Sequence, residues 1–172
     1  MQKISQVAHY APAQVVTNDD LSKIMDTSDE WIRSRTGIQE RRISLNENTS
    51  DLATNVAHQL LEKSGLSPVG LDFVLVATIS PDSPMPSVAA RVQGAIGAVN
   101  AFAFDMQAVC SGFLYAMEAG ANFIRSGKYK KVVIVGADKM SSVIDYTDRA
   151  TCPIFGDGAA AFMLEPPGRI WE

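Results

Sequence analysis

The stretch from Leu71 to Ile79 constrains this chain more than any other. Apolar β-formers dominate it. A strand of that composition has no polar face to give to water, so it belongs in a sheet covered on both sides. Lys131-Val132-Val133-Ile134-Val135-Gly136 reads the same way, and Ala101 to Met106 is a third apolar run expected to be a buried strand. Helical patterns lie between them. Thr49-Ser50-Asp51 caps a helix with the apolar face Leu52, Val56, Leu60 and Leu61, ending at Gly65. Ser87 caps another that stops at Gly97, and Gly112 to Arg125, ended by Gly127, is a third. Buried strands alternating with amphipathic helices predict α/β layers.

The remaining elements are shorter. Lys3 to Tyr10 is a candidate first strand. Cap signals between Val15 and Asp20 start a short helix to Met25. Asp26-Thr27-Ser28-Asp29-Glu30-Trp31 starts another, with acids in its first turn and Gly37 as its stop. Ile38 to Ile43 is a short strand with Arg41 and Arg42 expected to be exposed. A polar, irregular stretch runs from Asp138 to Thr151. Ala159 to Leu164 is the last strand before Pro166, entered through a tight turn at Gly156-Asp157-Gly158. Arg169 to Glu172 reads as the opening of a further strand, so the end at Glu172 is expected to be a cut within a longer fold.

The chain has 172 residues, 47% of them hydrophobic, which is enough for one domain over residues 1–172 with a real core. The net charge of −4 and the lack of any basic-aromatic run argue against nucleic-acid binding. No apolar stretch is long enough to cross a bilayer, so no membrane partner is expected. The opening residues lack the apolar core of a signal peptide. The two cysteines, Cys110 and Cys152, do not suggest a disulfide framework, and a reduced, cytoplasmic setting follows.

Cys110 carries the chemistry. It lies between an apolar strand and a helix that begins at Gly112. A helix N-terminus presents unpaired N–H groups and a partial positive charge. Those favour thiolate over thiol and could hold an oxyanion when sulfur attacks a carbonyl. Cys152, before Pro153 in an apolar stretch, reads as a core residue. Asp105 reads as a buried, hydrogen-bonded structural residue rather than one that orients the cysteine loop. His9 falls in the first strand. His58 falls off the apolar face of its helix. No ligand spacing suggests a metal, and no phosphate-binding glycine loop is present.

The cysteine segment Phe104 to Phe113 resembles that of the β-ketoacyl-acyl carrier protein synthase III family, condensing enzymes of the thiolase-like superfamily. Three further segments resemble it in register: Thr27 to Ile32 with Arg35-Thr36-Gly37-Ile38, then Thr147-Asp148-Arg149, then Phe155 to Ala159. The resemblance implies one βαβαβαββ half of a five-layered αβαβα sandwich, the N-terminal half, with the C-terminal half absent. It implies that Cys110 accepts an acyl group from acetyl-CoA or a similar primer, and that decarboxylative condensation with malonyl-acyl carrier protein follows. Trp31 resembles the residue that stacks on the coenzyme A adenine. Arg35 and Arg149 resemble the residues that hold its nucleotide end, and Thr27 resembles a polar adenine contact. Met85 stands where the family often has a bulky residue that reaches across a homodimer and limits the acyl pocket. Coenzyme A enters as a thioester substrate, and no cofactor is implied.

The family also uses a histidine and an asparagine from its second half, and neither His9 nor His58 sits in a matching motif. A second reading is therefore a non-catalytic half that needs another polypeptide and exposes apolar surface when alone. A third, another thiolase-like acyltransferase such as 3-hydroxy-3-methylglutaryl-CoA synthase or a plant-type polyketide synthase, is disfavoured by Trp31 and Thr147-Asp148-Arg149.

Overall fold

The computed structural model describes residues 2–167. Seven strands and five α-helices follow the order β1 (Lys3–Tyr10), β2 (Gln14–Thr17), α1 (Asn18–Ser22), α2 (Asp29–Thr36), β3 (Glu40–Ile43), α3 (Thr49–Ser64), β4 (Phe73–Ala77), α4 (Val88–Ala95), β5 (Phe102–Met106), α5 (Gly112–Arg125), β6 (Val132–Lys139) and β7 (Asp157–Glu165). With β2 to β3 set aside as an excursion, this is the expected βαβαβαββ order. Five strands form one sheet in the order β1-β7-β6-β4-β5. β4 runs parallel to β5 and β6, while β7 is antiparallel to β6 and β1.

The sheet is covered on both faces, as β4 demands. Phe73, Val74, Leu75 and Val76 in β4 are fully buried. Their alternation sends Val74 and Val76 toward α3 and α4, and Phe73 and Leu75 toward α5. The α3 and α4 side holds Leu52, Val56, Leu60, Val88 and Val92. The α5 side holds Ala116, Ile124, Ile134 and Leu164. Each fully buried side chain of this size contributes about 1.5–3 kcal/mol of transfer free energy. Gly120 seats α5 on this face: a Cβ there would stand 2.9 Å from Ile134 Cδ1 and 3.2 Å from Leu164 Cδ1.

Several expectations need correction. β5 is an edge strand, paired with β4 alone among the described residues, and Phe102 and Phe104 are 38% and 37% exposed. Arg41 is buried, not exposed: its guanidinium donates to the Val16 and Pro153 carbonyls at 3.1 Å and to Asn18 Oδ1 at 2.7 Å. Burial presses its pKa below the ordinary arginine value. β2, read from sequence only as cap signals, is a four-residue strand paired with β3. α1 stops at Ser22 rather than Met25, and Asn48 rather than Thr49 is the cap of α3. Gly156 and Gly158 have no positive φ, so there is no tight turn. Gly156 is needed for close approach instead, since a Cβ would meet Arg41 Cβ at 3.1 Å and the Arg42 carbonyl oxygen at 3.2 Å. β6 runs on to Lys139 and β7 starts at Asp157. The strand expected at Arg169 to Glu172 lies outside the described residues. Among the described residues no helix is long and apolar enough to cross a membrane.

Candidate active site

Cys110 is exposed, in a single helical turn of Val109–Ser111 that runs directly into α5. β5 ends at Met106, so strand and helix are joined by a tight corner. Val109 takes φ +49, the one non-glycine residue with positive φ among those described. A β-branched side chain is disfavoured there, and such positions cost about 1–3 kcal/mol. The strain sits immediately before Cys110. No side chain caps the junction: neither Ala108 nor Ser111 supplies a capping hydrogen bond. By contrast, Thr17, Ser28 and Ser87 cap α1, α2 and α4 through their hydroxyls. The Ser111 N–H donates to the Ala108 carbonyl at 3.1 Å and the Gly112 N–H to the Val109 carbonyl, so the turn itself, not a side chain, covers the entry to α5.

Cys110 opens onto a cleft of about 510 Å3 at the C-terminal end of the parallel strands. Its walls include Ile79, Phe113, Met140, Ile154 and Phe155, and its floor is built from alanines and glycines of β4, β6 and β7. Asp138 also lines it. One of its carboxylate oxygens accepts from Thr78 Oγ1 at 2.9 Å, the Ile79 N–H at 2.9 Å and Ser80 Oγ at 2.8 Å. That carboxylate ties the end of β4 to β6. Sequence reasoning missed Asp138, Phe113 and Met140, because only register brings them to the cysteine.

Trp31, Arg35 and Arg149 come together, and Thr27 lies in the turn that leads into α2. Ser28 caps α2 by accepting from the Trp31 N–H at 3.1 Å, and Gly37 closes it with φ +76. One turn of α2 places the Arg35 guanidinium carbon 4.5 Å from the Trp31 ring centroid. Arg149, from the loop before β7, lies 4.7 Å from the same centroid and holds Asp26 at 3.0 Å. Cation–π contacts of this kind contribute about 0.5–2 kcal/mol. Thr27 Oγ1 is buried without a hydrogen-bond partner, a polar atom left unsatisfied beside the tryptophan segment. The loop carrying Arg149 is braced by Asp145, which accepts from Thr147 Oγ1 at 2.7 Å, and by Asp148, which accepts from Thr151 Oγ1 at 2.6 Å. Those hydrogen bonds hold both carboxyls below their ordinary pKa.

Met85 is 81% exposed and does not line the Cys110 cleft. Its loop is fastened at both ends. Asp82 accepts from the Ser50 N–H at 2.9 Å, and Asp105 accepts from the Val88 and Ala89 N–H groups at 2.8 and 2.7 Å. Asp105 is hydrogen-bonded as expected, anchoring the α4 N-terminus, but it is half-buried rather than buried. Cys152 is a core residue beside Leu21 and Ile32, with its thiol pushed up by burial. Asp157 is buried and accepts from the Ser44 N–H at 2.7 Å and the Ser141 N–H at 2.8 Å. His9 and His58 are exposed, and neither lines the cleft.

The sequence and the fold are similar to those of known proteins. A sequence model described as 3-oxoacyl-[acyl-carrier-protein (ACP)] synthase III matches residues 104–170. A β-ketoacyl-[acyl-carrier-protein] synthase III of Streptococcus thermophilus is 76% identical over 163 residues, covering 95% of this chain and 51% of the relative. That of Lactococcus lactis subsp. cremoris is 58% identical over 166 residues, covering 96% and 51%. The crystal structure of the Aquifex aeolicus synthase III superposes with a TM-score of 0.96 at 46% identity, covering 98% of this chain and 55% of that one. The chain spans about half the length of the curated relatives it matches. By sequence and fold together, the chain matches the N-terminal half of β-ketoacyl-acyl carrier protein synthase III, a thiolase-like enzyme.

Proposed function

We propose that this chain carries the priming half-reaction of a β-ketoacyl-acyl carrier protein synthase III. The observation that carries the reading is Cys110, exposed on a strained, uncapped strand-to-helix corner and open to an apolar cleft. The Cys110 thiolate attacks the thioester carbonyl of acetyl-CoA or a similar primer. A carbon–sulfur bond forms, N–H groups at the corner stabilise the oxyanion, and coenzyme A leaves as its thiolate. Trp31 receives the adenine, Arg35 and Arg149 hold the phosphate-bearing end, and Thr27 Oγ1 gains the partner it lacks. Both guanidinium groups lie close to the ring centroid, at 4.5 and 4.7 Å, where they can reach the phosphates of a nucleotide whose base meets the indole.

In the second half-reaction malonyl-acyl carrier protein loses carbon dioxide. The resulting carbanion attacks the acyl-cysteine and expels the thiolate, giving a 3-oxoacyl-acyl carrier protein. Neither histidine lines the cleft, so groups outside the described residues serve this step, supplied by a C-terminal half. The reading includes a homodimer joined along the open edge of β5, beside the exposed Phe102 and Phe104, with Met85 reaching the partner's acyl pocket. The reaction is cytoplasmic, with coenzyme A as a thioester substrate and no cofactor.

Intact mass after incubation with acetyl-CoA tests the priming step. One acetyl group on the Cys110 peptide is the expected result. An unmodified Cys110, with coenzyme A still bound, would leave a binding half that needs a second polypeptide for any chemistry.

A further inference from the structure

Strand register reveals a step in the sheet beneath α5. Three rows of paired residues cross β5, β4, β6 and β7 on this face. The first is Phe102, Phe73, Val132 and Leu164, and the second is Phe104, Leu75, Ile134 and Phe162. The third is Met106, Ala77, Gly136 and Ala160. Two rows of large side chains thus give way, at the C-terminal ends of the parallel strands, to an alanine, a glycine and an alanine. All three small residues line the Cys110 cleft. The cleft exists because the third row is short.

Phe113 is the large side chain beside that short row. It lies one turn beyond Cys110 on α5 and lines the same cleft. Its ring rests on Gly136 so closely that a Cβ there would stand 2.8 Å from Phe113 Cδ2. On the other side it packs on Phe162, with centroids 5.2 Å apart. Gly136 has no positive φ, so its backbone does not call for glycine; the Phe113 ring does. The ring is wedged between the short row and the tall one.

We infer that Phe113 is the length gauge of the acyl-binding groove, with Ala77 and Ala160 setting its width. This rests on the reading of Cys110 as the acyl acceptor. An acyl group on the sulfur lies over Ala77 and Ala160, and its terminal carbon stops against the Phe113 ring. The groove therefore takes short primers.

The test compares Cys110 acylation rates, by peptide mass, for acetyl-CoA and hexanoyl-CoA. Phe113→Leu and Phe113→Ala are expected to raise the hexanoyl-to-acetyl ratio about tenfold, and Ala160→Val to lower it by a similar factor, the usual worth of a methylene or more in an apolar pocket. Ala160→Val keeps the question open to test if the Phe113 variants fail to fold. Methyl and pentyl methanethiosulfonates, which form a mixed disulfide and release methanesulfinate, read the same groove without any acyl transfer. A pentyl-to-methyl ratio that shifts in the same directions supports the gauge even if no variant is acylated, an outcome that would sink the priming reading alone. Ratios that stay within twofold of the parent chain for both positions and both probes would overturn the gauge.

Discussion

The Cys110 corner and the Trp31 cluster are built in opposite ways. The corner is contiguous, one strand end and one helix start meeting within a few residues, and what distinguishes it is backbone: a helix entry without a side-chain cap and a positive φ at Val109. The cluster is assembled from distant parts. Its Arg149–Asp26 pair joins residues 123 positions apart, and it consists of side chains over one indole ring. A reactive centre made from backbone is fixed once the fold forms. A binding platform made from long side chains can be dismantled piece by piece. The two should therefore fail separately.

The largest effect tests the corner. Cys110→Ala is expected to lower acylation from any thioester by about three orders of magnitude or more, the usual scale for loss of a nucleophile. Residual acylation of that variant at another residue would break the assignment. Next comes the platform. Trp31→Ala and Arg149→Ala should each weaken use of acyl-CoA roughly tenfold, in line with cation–π and stacking contacts. The loss should vanish with an acyl thioester of N-acetylcysteamine, which has no nucleotide to grip. An equal loss with both substrates would merge the two regions into one.

A smaller effect separates strain from stability. Val109→Gly relieves the positive φ and should raise stability by about 1 kcal/mol while slowing alkylation of Cys110. Thermal denaturation and iodoacetamide kinetics read the two together. The smallest effect belongs to the Arg149 loop. Asp145 and Asp148 are depressed by bonds from Thr147 and Thr151, so their contribution is present above the ordinary value of 3.8 and is lost as pH falls through their lower folded-state values. Acidification should perturb the near-ultraviolet signal of Trp31 before the sheet unfolds. Thr147→Val should move that onset to higher pH.

The same contrast explains what could be read in the sequence. Cys110 was legible because its setting is local. β4, β6 and the helices were legible because their periodicity is strong. The clustering of Trp31, Arg35 and Arg149 was suggested only by the family resemblance: nothing in the spacing of Trp31 and Arg149 says that they meet. β5 passes for a buried strand because Phe102 and Phe104 are apolar, and sequence does not distinguish an edge from a centre. Arg41 misleads in the other direction, a charge buried on carbonyls and an amide. The short row of Ala77, Gly136 and Ala160 is invisible to any single-segment reading, since it appears only when three strands are set in register.

The Met85 loop has a consequence for association. Its side chain is 81% exposed, yet the loop is stapled at one end through Asp82 and at the other through Asp105. An exposed apolar residue on a slack loop surrenders conformational freedom when it is covered, and that loss offsets much of what burial contributes. A residue on a loop already fastened surrenders little more than its own rotamers. Met85 therefore meets whatever surface covers it with most of the ordering entropy already lost during folding.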